Sequence, residues 1–498
     1  MLMEAAFVLL SFVSLLLWLR PLWSARAVLS FGFAVVEITL IVGFAAIASP
    51  FWTLVFTSVG LYKLFNLARV GKNRMQPDYL RQATRRTAIY VSVFQAVVAA
   101  GAGFGNWPVG ALYGAAIVQL LLALMLFSST KRHLRTTKTL QATTAYTDAA
   151  LPTLSVLVPA RNETDDLHTC LADLIASDYP KLEIIVLDDC SQDKRTPEII
   201  RSYAQSGVRF IAGAEPSDNW LAKNYAYQQL AEAASGDYLL FCGVDLRLAP
   251  GALRELMTTM LEKQKSMMSI MPHNSRTNEF VAYLIQPMRY AWEISLPRRL
   301  FNRPPVLSTC WIITRTALQN AGSFKAASRS ITPESYFARS AAHNDGYSFL
   351  RSNLLVSNKP AADQVTTALR TRYPQLRRRP ELVWLLTVLE FIGVVLTLPV
   401  AVIGIAHGLW PVAVLSGLAF IIQYVVFLLV TGIMYGQPLW WGIIMAPLAA
   451  AYDLVILNTA MYRYEFGAIQ WKERNICLPV MRLDVPLASK VGNVNRKR

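Results

Sequence analysis

LSVLVPARNE at residues 154–163, LEIIVLDDCSQD at 182–193 and GDYLLFCGVD at 236–245 decide the architecture of the middle of this chain. Each opens with a short apolar run and closes on polar residues. A run apolar at consecutive positions suits a strand covered on both faces, as in a parallel sheet, better than one with a wet face. Helical patterns at 165–176, 195–205, 221–234 and 250–264 alternate with these runs. The alternation reads as an open α/β sheet, whose ligands bind beyond the carboxyl ends of the strands. There stand PARNET (159–164), DDCSQD (188–193) and Val244-Asp245. Carboxylates gathered along one sheet edge are costly unless cations or hydrogen-bond donors use them. Neither GxGxxG nor GxxxxGK[ST] occurs, which excludes a dinucleotide fingerprint and a P-loop.

On either side the composition changes. Of the 498 residues, 54% are hydrophobic and 16% charged, against about 25% charged in a typical soluble domain. Disordered and fibrous classes are excluded. Apolar stretches near 5–19, 27–48, 51–67, 88–105 and 108–128, then near 383–405, 410–432 and 438–461, approach the length a membrane-spanning helix needs. The first lacks a basic n-region and an A-x-A exit, so a retained helix is expected there. The formal net charge is +16, gathered at membrane flanks, a distribution that disfavours nucleic acid. Basic residues crowd Arg69 to Arg86 and Lys131 to Arg135, whereas the connections at Pro50 and Gly105 carry none. The positive-inside rule then puts residue 130 and the α/β region in the cytosol.

Three full spans between 382 and 462 would leave the basic tail outside. One segment is therefore expected to be interfacial or re-entrant, and Pro399 and Pro447 point to the first and third. Glu37, Glu390 and Asp453, inside apolar stretches, are expected near helix ends or facing protein. Five cysteines without CxxC spacing indicate neither a disulfide framework nor a zinc site. The expected organisation is a five-helix transmembrane block (1–130), a basic linker (131–150), the α/β domain (151–380), a second membrane block (381–462) and a basic cytosolic tail (463–498).

In this order the motifs resemble those of family 2 glycosyltransferases with the GT-A fold. NWLAKNYAYQQLAEAASGDYLLF (219–241) is closer to a membrane-bound branch that includes ceramide glucosyltransferase and the carotenoid-acid and hopanoid-associated glycosyltransferases. IQWKER (469–474) is similar to a W-K-G-R element of its bacterial members. The resemblance covers about 155–480. It implies a multi-pass α-helical membrane protein with a cytosolic, Rossmann-like α/β GT-A domain, in the bacterial plasma membrane. It also implies inverting transfer from a nucleotide-diphosphate sugar to a lipid acceptor at the cytosolic face of the bilayer, with Mg²⁺ or Mn²⁺.

By the same resemblance Glu163, Asp188, Asp189, Trp220 and Lys223 bind the donor. Gln375 and Arg378 of QLRRR, and Trp471, Lys472 and Arg474 of the tail, join them. Asp245 holds the metal, and Glu334 of Pro333-Glu334 is the catalytic base. Ordinary alternatives exist for each group: a turn or cap at Asp188-Asp189, a favourable helix start at Pro333-Glu334, a core role for Trp220, and an interfacial belt at the tail. Gly243 replaces the first acid of the family's D-x-D, and Arg379 and Glu473 also depart from pattern. One acid suffices for an ion held largely by phosphate and water, so restoring Asp at Gly243 is expected not to reduce metal-dependent binding. Processive polysaccharide synthesis with export, and a degenerate member that binds without turnover, are the alternative functions.

Overall fold

The computed structural model describes residues 107–142, 146–217, 219–275, 279–298, 301, 303–465, 469–472 and 474–476. The first four apolar stretches, the 69–86 loop, Glu37, Glu473 and the end of the tail lie outside the described residues. In chain order the longer elements are α1 (Trp107–Thr136), β1 (Leu154–Ala160), α2 (Asp165–Ile175), β2 (Leu182–Asp188), α3 (Arg195–Ser202), β3 (Val208–Ala212), α4 (Ala222–Ala233), β4 (Tyr238–Cys242), β5 (Leu246–Leu248), α5 (Ala252–Glu262), β6 (Met267–Asn274), α6 (Phe280–Ile294), β7 (Cys310–Thr314), α7 (Arg315–Asn320), α8 (Ser323–Ala326), α9 (Pro333–His343), β8 (Tyr347–Ser357), α10 (Ala361–Gln375), α11 (Pro380–Glu390), α12 (Thr397–Ala406), α13 (Trp410–Tyr435) and α14 (Gly442–Glu465). They fall into two compact units. One comprises 107–123, 378–420 and 457–465, the other 124–377, 421–456 and the described residues from 469 on.

The larger unit holds the expected Rossmann-like α/β domain. Its sheet runs β3-β2-β1-β4-β7-β6-β8-β5. β3, β2, β1 and β4 are parallel, and β7 lies antiparallel to both β4 and β6. The continuous apolar runs have the expected cause, since alternate residues enter two different cores. Val156, Val158, Val186 and Leu240 pack with Leu171, Ile200 and Met257 on one face. Leu157, Ile185, Leu187 and Phe241 pack with Tyr227, Trp311, Phe324 and Phe337 on the other. The chain leaves β1 toward β2 and β3, then returns to β4 on the opposite side of β1. That reversal opens the crevice in which ligands of such sheets bind.

Within this unit α6 and α10 also carry apolar helices. Leu284 and Tyr290 pack with Val426, Phe427 and Met434, while Tyr452 and Ile456 pack beside Ala368 and Ile285. Asp453 faces protein, as expected. It is fully buried, accepts a hydrogen bond from Trp292 Nε1 at 2.6 Å, and lies 2.9 Å from Arg372 Nη2. The Arg372 guanidinium in turn covers the Trp292 ring at 4.2 Å.

In the other unit the first apolar stretch of the second block is broken, one of the two places to which the prolines pointed. A π-helical turn at Phe391–Val395 follows α11, and the two halves of the stretch meet at 49°. Gln119 Nε2 donates to the Ile392 carbonyl at 2.9 Å, satisfying backbone in that irregular turn. Gly404 lets α12 approach the backbone of Ala413, which a Cβ would meet at 2.8 Å. α1, α13 and α14 are each long and apolar enough to cross a membrane, with mean hydropathies of 2.2, 2.5 and 1.6. The fifth stretch, read as 108–128, continues as helix to Thr136, so KRHLR forms its end and not the start of a linker.

Candidate active site

The residues expected at the nucleotide sit at the carboxyl ends of β1 and β2. Asp189 is buried, its amide donates to the Ala160 carbonyl at 2.8 Å, and its two oxygens each accept from Arg474 Nη1 at 2.9 Å. Arg474 Nη2 simultaneously reaches both oxygens of Glu215 at 2.8 Å. Burial pushes the Asp189 carboxyl up, and Arg474 opposes that shift. Lys472 pairs with Glu163 and donates to the Arg161 carbonyl at 2.6 Å. The Glu163 carboxyl is likewise raised by burial against the pull of Lys472. Arg161, itself buried, donates to the carbonyls of Asp189 and Cys190 at 2.6 and 2.8 Å. These bonds tie the first two strand ends together. Asp188 makes a local turn, its Oδ1 accepting from the Ser191 amide at 3.1 Å.

The tail reaches this site through a two-stranded hairpin, Gln470–Trp471 with Arg474–Asn475. Lys472 and Arg474 thus lie on the acids of the α/β domain and not in an interfacial belt.

On the other side of the crevice, β4 ends in Gly243-Val244-Asp245. The Asp245 carbonyl accepts from the Asn358 amide at 2.9 Å, and Ser357 Oγ lies 3.4 Å from its Oδ2. Asp245 Oδ1 occupies the space that a side chain at 243 would need, since a Cβ there would lie 2.5 Å away. This bears against the expectation for Gly243, because an added side chain there must turn the Asp245 carboxylate aside. Among the described residues no three His, Cys, Asp or Glu side chains gather as a metal cage. A lone carboxylate beside a hydroxyl fits a divalent ion held mainly by phosphate oxygens and water. We expect Asp245→Asn to abolish Mn²⁺-dependent nucleotide-sugar binding, and Gly243→Asp to weaken it, both read by calorimetric titration of folded protein. Unchanged binding in the Asn variant removes Asp245 from the site.

Glu334 lies in the first turn of α9, behind Pro333 at a position that suits proline. Phe337 and Tyr336 anchor that helix in the core, with Phe337 stacked on Trp311. Glu334 is 4% exposed, and its Oε2 has no hydrogen-bond partner. Burial pushes its carboxyl above the usual range, and the Lys223 ammonium pulls it back. Lys223 sits one turn before buried Tyr227 on α4, its Nζ 5.2 Å from the ring centre. Burial lowers the Lys223 ammonium, which Glu334 and then Asp245 offset. Asn224, also buried, donates to the carbonyls of Ala327, Ser328 and Ser330 at 2.9, 3.0 and 2.7 Å. That fan joins the start of α4 to the loop leading into Glu334.

The remaining residues expected at the site are less engaged. Trp220 is half-buried, edge-on to Tyr225 at 5.5 Å and packed against the core. Gln375 ends α10 with a buried, unpartnered Oε1. Arg377 and Arg378 both take left-handed backbone at φ 58° and 47°, a cost of about 1–3 kcal/mol each. Arg378 belongs to the smaller unit, over Tyr464 at 5.5 Å. Of Trp471 only the backbone is described. Sequence reasoning missed Arg161, Glu215 and Asn224. Arg161 stands inside PARNE and Asn224 inside NWLAKNYAYQQ, so both carried a signal, whereas Glu215 comes from a segment with no motif.

Residues 155–322 match the family model for Glycosyl transferase family 2. An uncharacterized glycosyltransferase of Escherichia coli, YibD, is 35% identical over 111 residues, 22% of this chain and 30% of that protein. A 4,4'-diaponeurosporenoate glycosyltransferase of Staphylococcus aureus is 28% identical over 123 residues, 24% of this chain and 32% of that one. In these matches the chain spans about a third of the relatives' own length. Among solved structures, a mannosyltransferase of Pyrobaculum calidifontis in complex with GDP-Man and Mn²⁺ aligns at 19% identity with a TM-score of 0.41, covering 69% of this chain and 99% of that one.

Proposed function

We propose that this chain, whose residues 155–322 form a family 2 glycosyltransferase domain, is a membrane-bound inverting enzyme. It takes a sugar from a nucleotide-diphosphate donor and gives it to a lipid at the cytosolic face of the bilayer. The observation that carries the reading is Glu334: a buried carboxylate with an unpartnered oxygen, within the electrostatic reach of Lys223. A structural glutamate at a helix start faces solvent or a cap; this one faces inward, where a hydroxyl can meet it.

In the reaction the acceptor O–H attacks the anomeric carbon. The new C–O bond forms as the bond to the diphosphate breaks, and the proton passes to Glu334. Lys223 is placed to offset charge on the leaving diphosphate. Asp245 would hold the divalent cation, which when bound neutralises the same group. Asp189, Glu163, Lys472 and Arg474 form the nucleoside end, where the hairpin's cations must yield or share their carboxylates as the donor enters. Purified full-length protein, offered a panel of nucleotide sugars with extracted lipids, should form a glycolipid. Normal donor binding with no transfer to any lipid would favour the degenerate, non-enzymatic reading.

The membrane reading rests on the same packing. Tyr435 at the end of α13, Met445 in α14 and the tail hairpin all lie on the α/β domain. The first half of α14, through Met445, Ala449 and Ile456, is therefore held along the α/β domain. Ile444, Leu448, Val455 and Tyr462 form its exposed apolar stripe, and Trp441 just before it is exposed as well. We read α14 as interfacial, with the broken α11–α12 segment and α13 as the two crossings, which removes the parity conflict of the tail. A cysteine at Gly408 should then react with an impermeant external reagent in intact cells, and one at Gln437 should not. The reverse pattern would overturn the orientation.

A further inference from the structure

Past Asp245, away from the nucleoside acids, the crevice holds more positive charge than a donor requires. The sheet order puts Asp189 and Glu163 beyond β2 and β1, Asp245 beyond β4, and Lys359 beyond β8, on the opposite half. Lys359 follows Asn358, whose amide is bonded to the Asp245 carbonyl. Arg289 is tied to the same motif: its Nη2 donates to Thr309 Oγ1 at 2.6 Å, and the Thr309 carbonyl accepts from the Gly243 amide at 3.2 Å. Arg370 projects from α10, the helix packed on α6, which carries Arg289.

Among the described residues no carboxylate lies within 4.0 Å of Lys223, Arg289 or Lys359. Burial pushes the Lys359 ammonium down to about 8; Asp245 opposes the shift, and Arg289 and Arg370 add to it. These cations face two inward acids, Asp245 and Glu334, and the exposed Asp363, which also opposes the Lys359 shift. A divalent ion at Asp245 adds positive charge that the donor diphosphate roughly cancels, so the excess at Arg289 and Lys359 remains. It lies on the lipid side, because α6 packs on α13 and exposes Phe280 and Val281 at 55% and 39%. Basic pockets beside apolar helices suit phosphate head groups, and arginine suits them by its forked donors.

We propose that Arg289 and Lys359 hold an anionic phosphate of the acceptor, so that the acceptor is a hydroxyl-bearing phospholipid and not a neutral lipid. This rests on the transferase reading, and names the substrate class of that site. The phosphate is held beyond Asp245 while a hydroxyl of the same head group reaches Glu334.

The test uses full-length protein in detergent, with native mass spectrometry comparing retained dioleoyl phosphatidylglycerol and dioleoylglycerol, and Mn²⁺-dependent nucleotide-sugar binding as a separate readout. Wild type should prefer the phosphatidylglycerol. Arg289→Gln and Lys359→Gln should each cut that preference about 10-fold or more while leaving donor affinity unchanged. Equal retention of both lipids, or a preference that survives both substitutions, overturns the proposal. A parallel fall in donor affinity also overturns it, by assigning these cations to the donor diphosphate. Failure of wild type to bind any nucleotide sugar overturns the transferase reading instead, whatever the lipid result.

Discussion

Glu334→Gln is expected to lower turnover by ~10²–10⁴-fold while donor affinity changes little. The amide keeps the size of the side chain and one acceptor oxygen, but takes no proton from an attacking hydroxyl. Because burial holds the Glu334 carboxyl above its ordinary value of 4.5, the basic form is lost at a higher pH than for an exposed glutamate. The wild-type rate should therefore fall, as pH drops, through a one-proton limb centred above 4.5, and that limb should be missing from the residual rate of the Gln variant. Steady-state rates across pH, with donor affinity measured separately, check both statements. Wild-type turnover in the Gln variant would mean that another group takes the proton.

Asp453→Ala should destabilise the larger unit by about 3–5 kcal/mol, the usual cost of removing one member of a buried ion pair. The substitution leaves the Arg372 charge and the Trp292 N–H facing an apolar methyl. Asp453→Asn separates the two contributions, since its amide oxygen still accepts from Trp292 but offers Arg372 no charge. Thermal unfolding in detergent should rank wild type above Asn and Asn above Ala. An Asn variant as stable as wild type would show that the charge itself contributes nothing. Neither substitution touches Glu334 or Asp245, so transfer per folded molecule should stay near normal.

Asp453 also marks how far the sequence could be read. A carboxylate inside an apolar stretch announces that it faces protein, because lipid offers it no partner. Nothing announces which protein group it faces: Arg372 and Trp292 lie 81 and 161 positions away. The same division runs through the candidate active site. Asp189 and Asp245 could be singled out because strand ends are local features with local signals, and Glu334 because the order of motifs resembles that of a known family. Arg289, Lys359 and Arg370 were not, because each is placed by a helix or strand whose neighbours are chosen by sheet order. β6, β7 and β8 were missed for a related reason, since they pair in an antiparallel and mixed half that no single run specifies.

What the residues decide alone are quantities that depend on near neighbours. These include the period of apolar positions, which yields the parallel strands and their helices, and the absence of charge, which yields helices long enough for a membrane. They also include the acids that terminate each strand. Tertiary structure decided what depends on distant segments meeting: that the tail hairpin lies on Asp189 and Glu163, that Asp245 fills the space left by Gly243, and that Thr309, the partner of Arg289, and Asn358, the neighbour of Lys359, both bond the 243–245 turn. The physical reason is range. Propensity and periodicity act over a few residues, whereas charge and packing act through space, between segments that the chain order keeps far apart.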